Sequence, residues 1–224
     1  MSAKTILLTG FGDWAGSCAN PAKAVAGALD GETVEGAQVR TVIAPSVFAE
    51  MVGVVTDEID RIQPEIVVMM GEFNGRTMIT VERLAQNLVD ATRYGLGDLA
   101  GHQPQGVPVV EGGPVAYFAT LPIRAMVRAM REERIPADIS DTAATFGCNL
   151  LMYGVLHHVA VRGLPIRAGW MHLPSLPETA ALEENLGLPS MSVATQVTGV
   201  RAALGAVVLH ETDCDEVVRS RFQL

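Results

Sequence analysis

Cys148 and His172 have the residue types and the settings that nucleophilic catalysis needs. In TAATFGCNLLMYG the thiol follows a glycine at the start of a predicted helix, where unpaired N–H groups and the helix dipole favour a thiolate. A neighbouring imidazolium would lower the thiol pKa further and make the sulfur nucleophilic near neutral pH. His172 closes the predicted strand IRAGWMH just before Leu173 and Pro174, and open α/β sheets gather ligands at the carboxyl ends of their strands. The two side chains can meet there. The residues alone leave a plainer alternative open, a helical Cys that packs and a strand-end His that bonds the backbone.

The other reactive residues have weaker settings. Cys18 sits in the first loop without a local base, and Cys214 in ETDCDE is surrounded by carboxylates that would suppress a thiolate. The cysteines number three, with no C-x-x-C, so neither a disulfide framework nor a Cys-rich zinc site is indicated. His157 and His158 are adjacent on one helix and point to different faces, which reads as structural or surface use. His102 and His210 have no local partner. GFGDWA after the first strand fits a loose dinucleotide pattern, but Asn20 and Pro21 place the helix start well beyond the glycines. No acidic residue closes the second strand to hold a ribose.

The elements that must position Cys148 and His172 follow from pattern. Thr5 to Thr9 reads as a strand, Asn20 and Pro21 as N-cap and first residue of a helix through Leu29, and Val39 to Ile43 as a second strand. Val47 to Ile62 has helical spacing closed by Pro64, and Glu65 to Met70 is apolar on both faces, as a central strand would be. Met78 to Leu88 fits neither period and reads as an irregular strand. Asp90 to Pro114 is a long Gly- and Pro-rich loop, of the kind that covers a site or joins a neighbouring subunit. Leu121 to Arg134 reads as a helix with a solvated stripe of Arg124, Arg128, Arg131 and Arg134. A short strand at Ala137 to Ile139, a helix from Cys148 to Val161, a strand from Ile166 to Leu173 and a helix from Val193 to His210 complete an α/β pattern.

Composition sets the limits. The chain has 224 residues, 49% hydrophobic and 18% charged, enough for one buried core and incompatible with disorder. Sixteen Lys and Arg stand against 25 Asp and Glu, and a formal charge of -9 would repel a phosphate backbone. Nucleic-acid binding is therefore not expected. Ile6 to Leu8 is too brief for a signal-peptide core and no apolar stretch would cross a bilayer, so a soluble cytoplasmic protein is expected.

Several stretches together resemble the pyroglutamyl peptidase I family, also called pyrrolidone-carboxylate peptidases. GFGDW with Asn20 and Pro21 is similar to that family's first loop, and GGPVAYFATLPIRAMV to its central helix entry. TAATFGCNLLMYG resembles its nucleophile segment, AGWMHLP the segment carrying its His, and Gly75, Arg76, Ile79, Glu82 and Arg83 its second block. The resemblance implies a single three-layer αβα sandwich over residues 1–224, with a mixed, mostly parallel sheet of the phosphorylase/hydrolase-like type. It implies Cys148 as nucleophile, His172 as general base and then acid, and Glu82 as the residue that orients the imidazole. Spacing alone does not select Glu82. The implied activity is removal of an N-terminal pyroglutamyl residue from blocked peptides, without metal or organic cofactor, by a dimer or tetramer. Phe11, Trp14 and Phe146 match positions of aromatic pocket walls, which by themselves read equally well as core residues.

This chain also departs from the family pattern. Glu72, in GEFNGR, stands where a pocket Gln is usual and would weaken lactam binding or favour a substrate with a donor or positive charge. Asp13 and Trp14 replace Pro and Phe, and Ala22 replaces Ser. A related cysteine amidohydrolase taking another N-terminal group is therefore a second reading, and a non-catalytic or dinucleotide-binding α/β domain a third.

Overall fold

The computed structural model describes residues 4–14 and 19–220. Cys18 lies outside the described residues. The chain opens with β1 (Thr5–Phe11), buried after Thr5, and α1 (Pro21–Leu29). Asn20 caps α1 as predicted, its side-chain oxygen accepting from the Ala22 N–H at 2.9 Å. A Cβ on Gly10 would lie 2.5 Å from Ile43 Cδ1 and 3.1 Å from the Ala22 carbonyl oxygen, so this glycine lets α1 pack closely. The helix starts beyond the glycine loop, which is not the geometry of a dinucleotide site.

A hairpin of β2 (Thr33–Val34) and β3 (Ala37–Ala44) leads into α2 (Phe48–Ile62), which ends at Gln63 in the left-handed region before Pro64. Next is β4 (Ile66–Glu72), buried through Gly71 as its continuous apolar run predicts. The ambiguous 78–88 run is two short strands, β5 (Ile79–Glu82) and β6 (Leu84–Gln86), which belong to different sheets. Then follow β7 (Ala116–Phe118), α3 (Ile123–Glu132), β8 (Ala137–Ser140), α4 (Gly147–Val161), β9 (Arg167–Leu173), the short α5 (Pro177–Ala180) and α6 (Val193–Leu209). Among the described residues, no helix is long and apolar enough to cross a membrane.

The main sheet has seven strands in the order β2-β3-β1-β4-β9-β5-β8. Only β2 with β3 and β5 with β9 are antiparallel, so the sheet is mixed and mostly parallel. One layer of helices is α1 and α3 against α6, and the other is α2 against α4. The antiparallel insertion of β5 matters most, since it sets Thr80 beside His172 and Glu82 beside Trp170. The long loop is clasped at its base by β6 and β7, which pair Gln86 with Ala116.

The arginine stripe on α3 is not merely solvated. It ties down the chain after α6: Arg128 pairs with Glu216 at 2.7 Å, and Arg131 donates to the Arg219 carbonyl at 3.0 Å. Asp213 accepts from the Arg124 N–H at 3.0 Å and the Ala125 N–H at 3.1 Å, capping a helix whose own N-cap is Pro122. Asp213→Ala is expected to cost about 1 kcal/mol, the usual loss of a helix cap, measured by urea unfolding. The partners lie some ninety residues away in the chain, beyond what local pattern reveals.

Candidate active site

Gly71 and His172 are register partners on the parallel strands β4 and β9, so both project to one face of the sheet. The Cys148 sulfur lies on that face, 2.9 Å from where a Cβ on Gly71 would sit. The Trp170 ring fills the same space, its Cζ2 2.6 Å from that point, and no residue with a side chain fits there. Gly71→Ala is expected to push the sulfur or the indole aside and reduce kcat/KM by about 100-fold, as a misplacement of roughly 1 Å does. Steady-state kinetics beside a denaturation curve would check this, with most of the loss in activity rather than in folding.

Glu82 joins the pair from β5. Its Oε1 accepts from His172 Nδ1 at 2.7 Å and from Arg76 Nη1 at 2.7 Å. His172 and Glu82 are 0% exposed and Arg76 is 8% exposed. A carboxylate on Nδ1 places the imidazole proton there and leaves Nε2 as the basic nitrogen. That Nε2 is buried without a hydrogen-bond partner among the described residues. Cys148 is the second residue of α4, and the preceding Phe146 supplies no side-chain cap. The first-turn N–H groups have no intrahelical acceptor, so they can receive a developing oxyanion. Asn149, the next residue, locks the helix start to β6 by accepting from the Gln86 N–H and donating to the Gln86 and Leu88 carbonyls, each at 2.9 Å.

Desolvation works against the helix tip at Cys148. Burial pushes the Cys148 thiol up to about 12, with the Glu82 charge adding to the effect and Arg76 opposing it. Burial also pushes His172 below its ordinary 6.5, although the hydrogen bond and charge of Glu82 work against this. Both shifts run against a thiolate–imidazolium pair, and the Glu82 carboxylate is the group that favours a proton on the imidazole. Cys148 keeps part of its surface exposed, but its sulfur is turned inward over Gly71, where desolvation outweighs the helix tip. Glu82 is different: burial works to raise its carboxyl, yet the bond and charge of His172 and the charge of Arg76 prevail and hold it below 4.5. Among the described residues, no three His, Cys, Asp or Glu side chains converge as metal ligands would.

An aromatic wall stands at the start of α4. Trp14 lies 6.1 Å from Phe11 and 5.8 Å from Phe146, so the three residues picked from the sequence are brought together. Trp170 at 6.2 Å from Phe11, Phe48 at 5.8 Å from Trp14 and Tyr94 at 5.3 Å from Phe146 extend it. Tyr94 comes from the long loop, which also bonds the segment before Cys148: the Thr145 hydroxyl donates to the Asp90 carbonyl at 3.1 Å. Here the loop packs against the aromatic wall through Tyr94. Within it His102 does have a partner, the buried Asp98 at 3.2 Å, whose carboxylate also accepts from the first N–H of α2.

The family model described as pyroglutamyl peptidase matches residues 4–210. The chain belongs to the pyroglutamyl peptidase family. It is 53% identical over 219 residues to the pyrrolidone-carboxylate peptidase of Mycobacterium tuberculosis, covering 98% of this chain and 99% of that relative. The pyroglutamyl peptidase I structure from Bacillus amyloliquefaciens superposes with a TM-score of 0.91 at 34% identity, over 96% of this chain and all of that one. The pyrrolidone carboxyl peptidase of Thermococcus litoralis gives a TM-score of 0.90 at 31% identity, over 96% and 100% of the two chains. This pyroglutamyl peptidase family member thus has the αβα architecture that the resemblance implied.

Its departures from the family pattern also have places. Glu72 ends β4 directly after Gly71, near enough for its charge to act on Cys148. Burial pushes its carboxyl above the ordinary 4.5, and a hydrogen bond with Ser175 opposes this. Asp13 is paired with Lys23 at 2.8 Å, both about half exposed at the first loop. Ala22 is buried in α1. Sequence reasoning did not single out Gly71, Phe73, Tyr94 or Trp170, and it took Arg76 only as part of a motif. Phe73 meets the His172 ring edge-on at 5.1 Å. A Gly before an acidic residue at a strand end was the available signal for Gly71; the rest depend on which faces meet.

Proposed function

We propose that this family member is a cysteine exopeptidase that removes an N-terminal pyroglutamyl residue from peptides, with Cys148 as nucleophile, His172 as base and acid, and Glu82 as the group orienting His172. The observation that carries this is the placement of the Cys148 sulfur beside Gly71, the register partner of His172, whose Nδ1 is held by Glu82. The sulfur attacks the pyroglutamyl carbonyl carbon as its proton passes to His172 Nε2. The carbonyl electrons move to oxygen, which the first-turn N–H groups of α4 hold. His172 then gives that proton to the departing amine, the C–N bond breaks and a thioester remains on Cys148. Water loses a proton to His172 as its oxygen attacks the thioester carbon; the C–S bond then breaks, pyroglutamate leaves and His172 returns the proton to the Cys148 sulfur.

Phe11, Trp14 and Phe146 are proposed as pocket walls around the lactam, with Glu72 at the pocket edge. Burial pushes the Glu72 carboxyl above its ordinary 4.5, so this position differs from a Gln in the cost of desolvating its charge. The whole chain is read as one domain acting on N-terminally blocked peptides in the cytoplasm as a dimer or tetramer, without nucleic acid or cofactor. A fluorogenic pyroglutamyl amide tests the substrate assignment against the matching prolyl and glutamyl amides. Hydrolysis of the first alone supports the reading; hydrolysis of another amide in its place transfers the site to a different N-terminal group.

A further inference from the structure

We propose that Arg76 is a positioning residue for the reaction, its buried guanidinium holding the Glu82 carboxylate in place so that Glu82 in turn fixes the His172 ring. This rests on the peptidase reading for its kinetic test and is independent of it for its spectroscopic one. Arg76 comes from the turn between β4 and β5, where Gly75 has a φ of 88° and the Arg76 N–H donates to the Phe73 carbonyl at 3.2 Å. The turn is anchored to β9 by the Phe73 N–H on the Leu173 carbonyl at 2.9 Å.

From there the guanidinium reaches each part of the site. Nη1 donates to Glu82 Oε1 at 2.7 Å and to the Thr80 hydroxyl. Nη2 donates to Ser140 Oγ at 3.2 Å and to the Thr142 carbonyl at 3.3 Å, on the segment that leads into the helix of Cys148. Its carbon lies 4.0 Å over the Phe73 ring, and Phe73 in turn meets the His172 ring edge-on. One planar cation therefore touches the carboxylate, the ring that packs on the imidazole and the approach to the nucleophile. Buried ion pairs contribute little net stability compared with an apolar replacement, so stability alone does not account for this one. The fork geometry is also what a Lys cannot reproduce.

The charged and titratable groups facing His172 and Glu82 are Arg76 from the turn, Cys148 from α4 and, through its charge on Cys148, Glu72 from β4. Arg83, next to Glu82, turns out to Asp141 at 2.5 Å. His172 and Glu82 exchange a proton with solvent as a coupled pair. Arg76 favours the unprotonated, anionic pair, so its removal makes proton uptake easier and moves the acid limb of kcat/KM to higher pH. Glu82→Gln does the opposite, because the carboxylate that favours imidazolium is gone.

The test compares Arg76→Gln, Arg76→Lys, Glu82→Gln and the double Gln variant with the wild type, by pH-dependent kinetics on the pyroglutamyl amide. Arg76→Gln is expected to lower kcat about 10- to 100-fold with little change in KM, as loss of an outer-shell orienting group does. Its acid limb is expected to move up, and the same substitution on Glu82→Gln to cost almost nothing further. Arg76→Lys keeps the charge and is expected to keep the limb while losing part of kcat. The double variant leaves no unpaired buried charge, so it and Arg76→Lys carry the comparison where Arg76→Gln does not fold. An unmoved limb, or an equal loss on both backgrounds, overturns the proposal. Nitrogen NMR of the His172 ring in Cys148→Ser protein follows the same titration without turnover, so absent peptidase activity and a failed role for Arg76 remain distinguishable.

Discussion

Replacement of Cys148 by Ser is expected to reduce kcat on a pyroglutamyl amide by on the order of 10⁴-fold or more, the scale on which loss of a nucleophile acts in triad enzymes. The substitution keeps size and hydrogen-bonding capacity at a position where the sulfur sits 2.9 Å from the Cβ site of Gly71, so the fold should survive. Unfolding free energy is expected to change by about 0.5 kcal/mol or less, in the range of mild substitutions. What disappears is a polarisable nucleophile whose proton His172 can take during attack. The comparison needs stopped assays at high enzyme concentration, with the variant's stability measured in parallel. Activity within tenfold of the wild type would remove Cys148 from the mechanism.

The second large effect concerns Glu82. Glu82→Gln keeps the shape of the side chain but offers His172 Nδ1 an amide instead of a carboxylate, which no longer fixes the tautomer. A loss of about 10³- to 10⁴-fold in kcat is expected by analogy with the wrong-tautomer effect in serine triads. The pH profile adds a sign. In the wild type, burial holds His172 below 6.5, so the free base persists into mildly acid solution and the acid limb of kcat/KM lies below 6.5. Glu82 opposes that push, and without it the limb moves to still lower pH. On the alkaline side the thiol, raised to about 12, imposes no loss between neutrality and pH 9. A standing thiolate–imidazolium pair would instead lose activity as the imidazolium gives up its proton, so a fall in kcat/KM between neutrality and pH 9 would indicate that pair.

The parts of this architecture visible in the sequence are those written by local physics. The Asn20–Pro21 cap, the buried run of β4 and the helix that begins at the Gly before Cys148 are each set by a few adjacent residues, and each stands where pattern places it. Strands β5 and β6 are only four and three residues long, too short for a period to declare itself, and their separation into two sheets depends on a partner strand ninety residues on. That pairing is what brings Glu82 to His172, which is why Glu82 emerged from family resemblance and not from spacing. Arg76 and the stripe on α3 were opaque for a related reason. An arginine in a turn or on a helix reads as solvated until the chain that buries or pairs it is known. The desolvation of Cys148 was hidden as well, since position at a helix tip is local while burial is a property of the packed site.

The most direct measurement is acid-quenched mass spectrometry of the enzyme during turnover of a pyroglutamyl amide, followed by digestion and mapping of the Cys148 peptide. The peptide is predicted to carry one pyroglutamyl group in the wild type, lost on treatment with hydroxylamine as a thioester is, and none in Cys148→Ala. Continued hydrolysis by Cys148→Ala, or an acyl group mapped to another residue, would contradict the account.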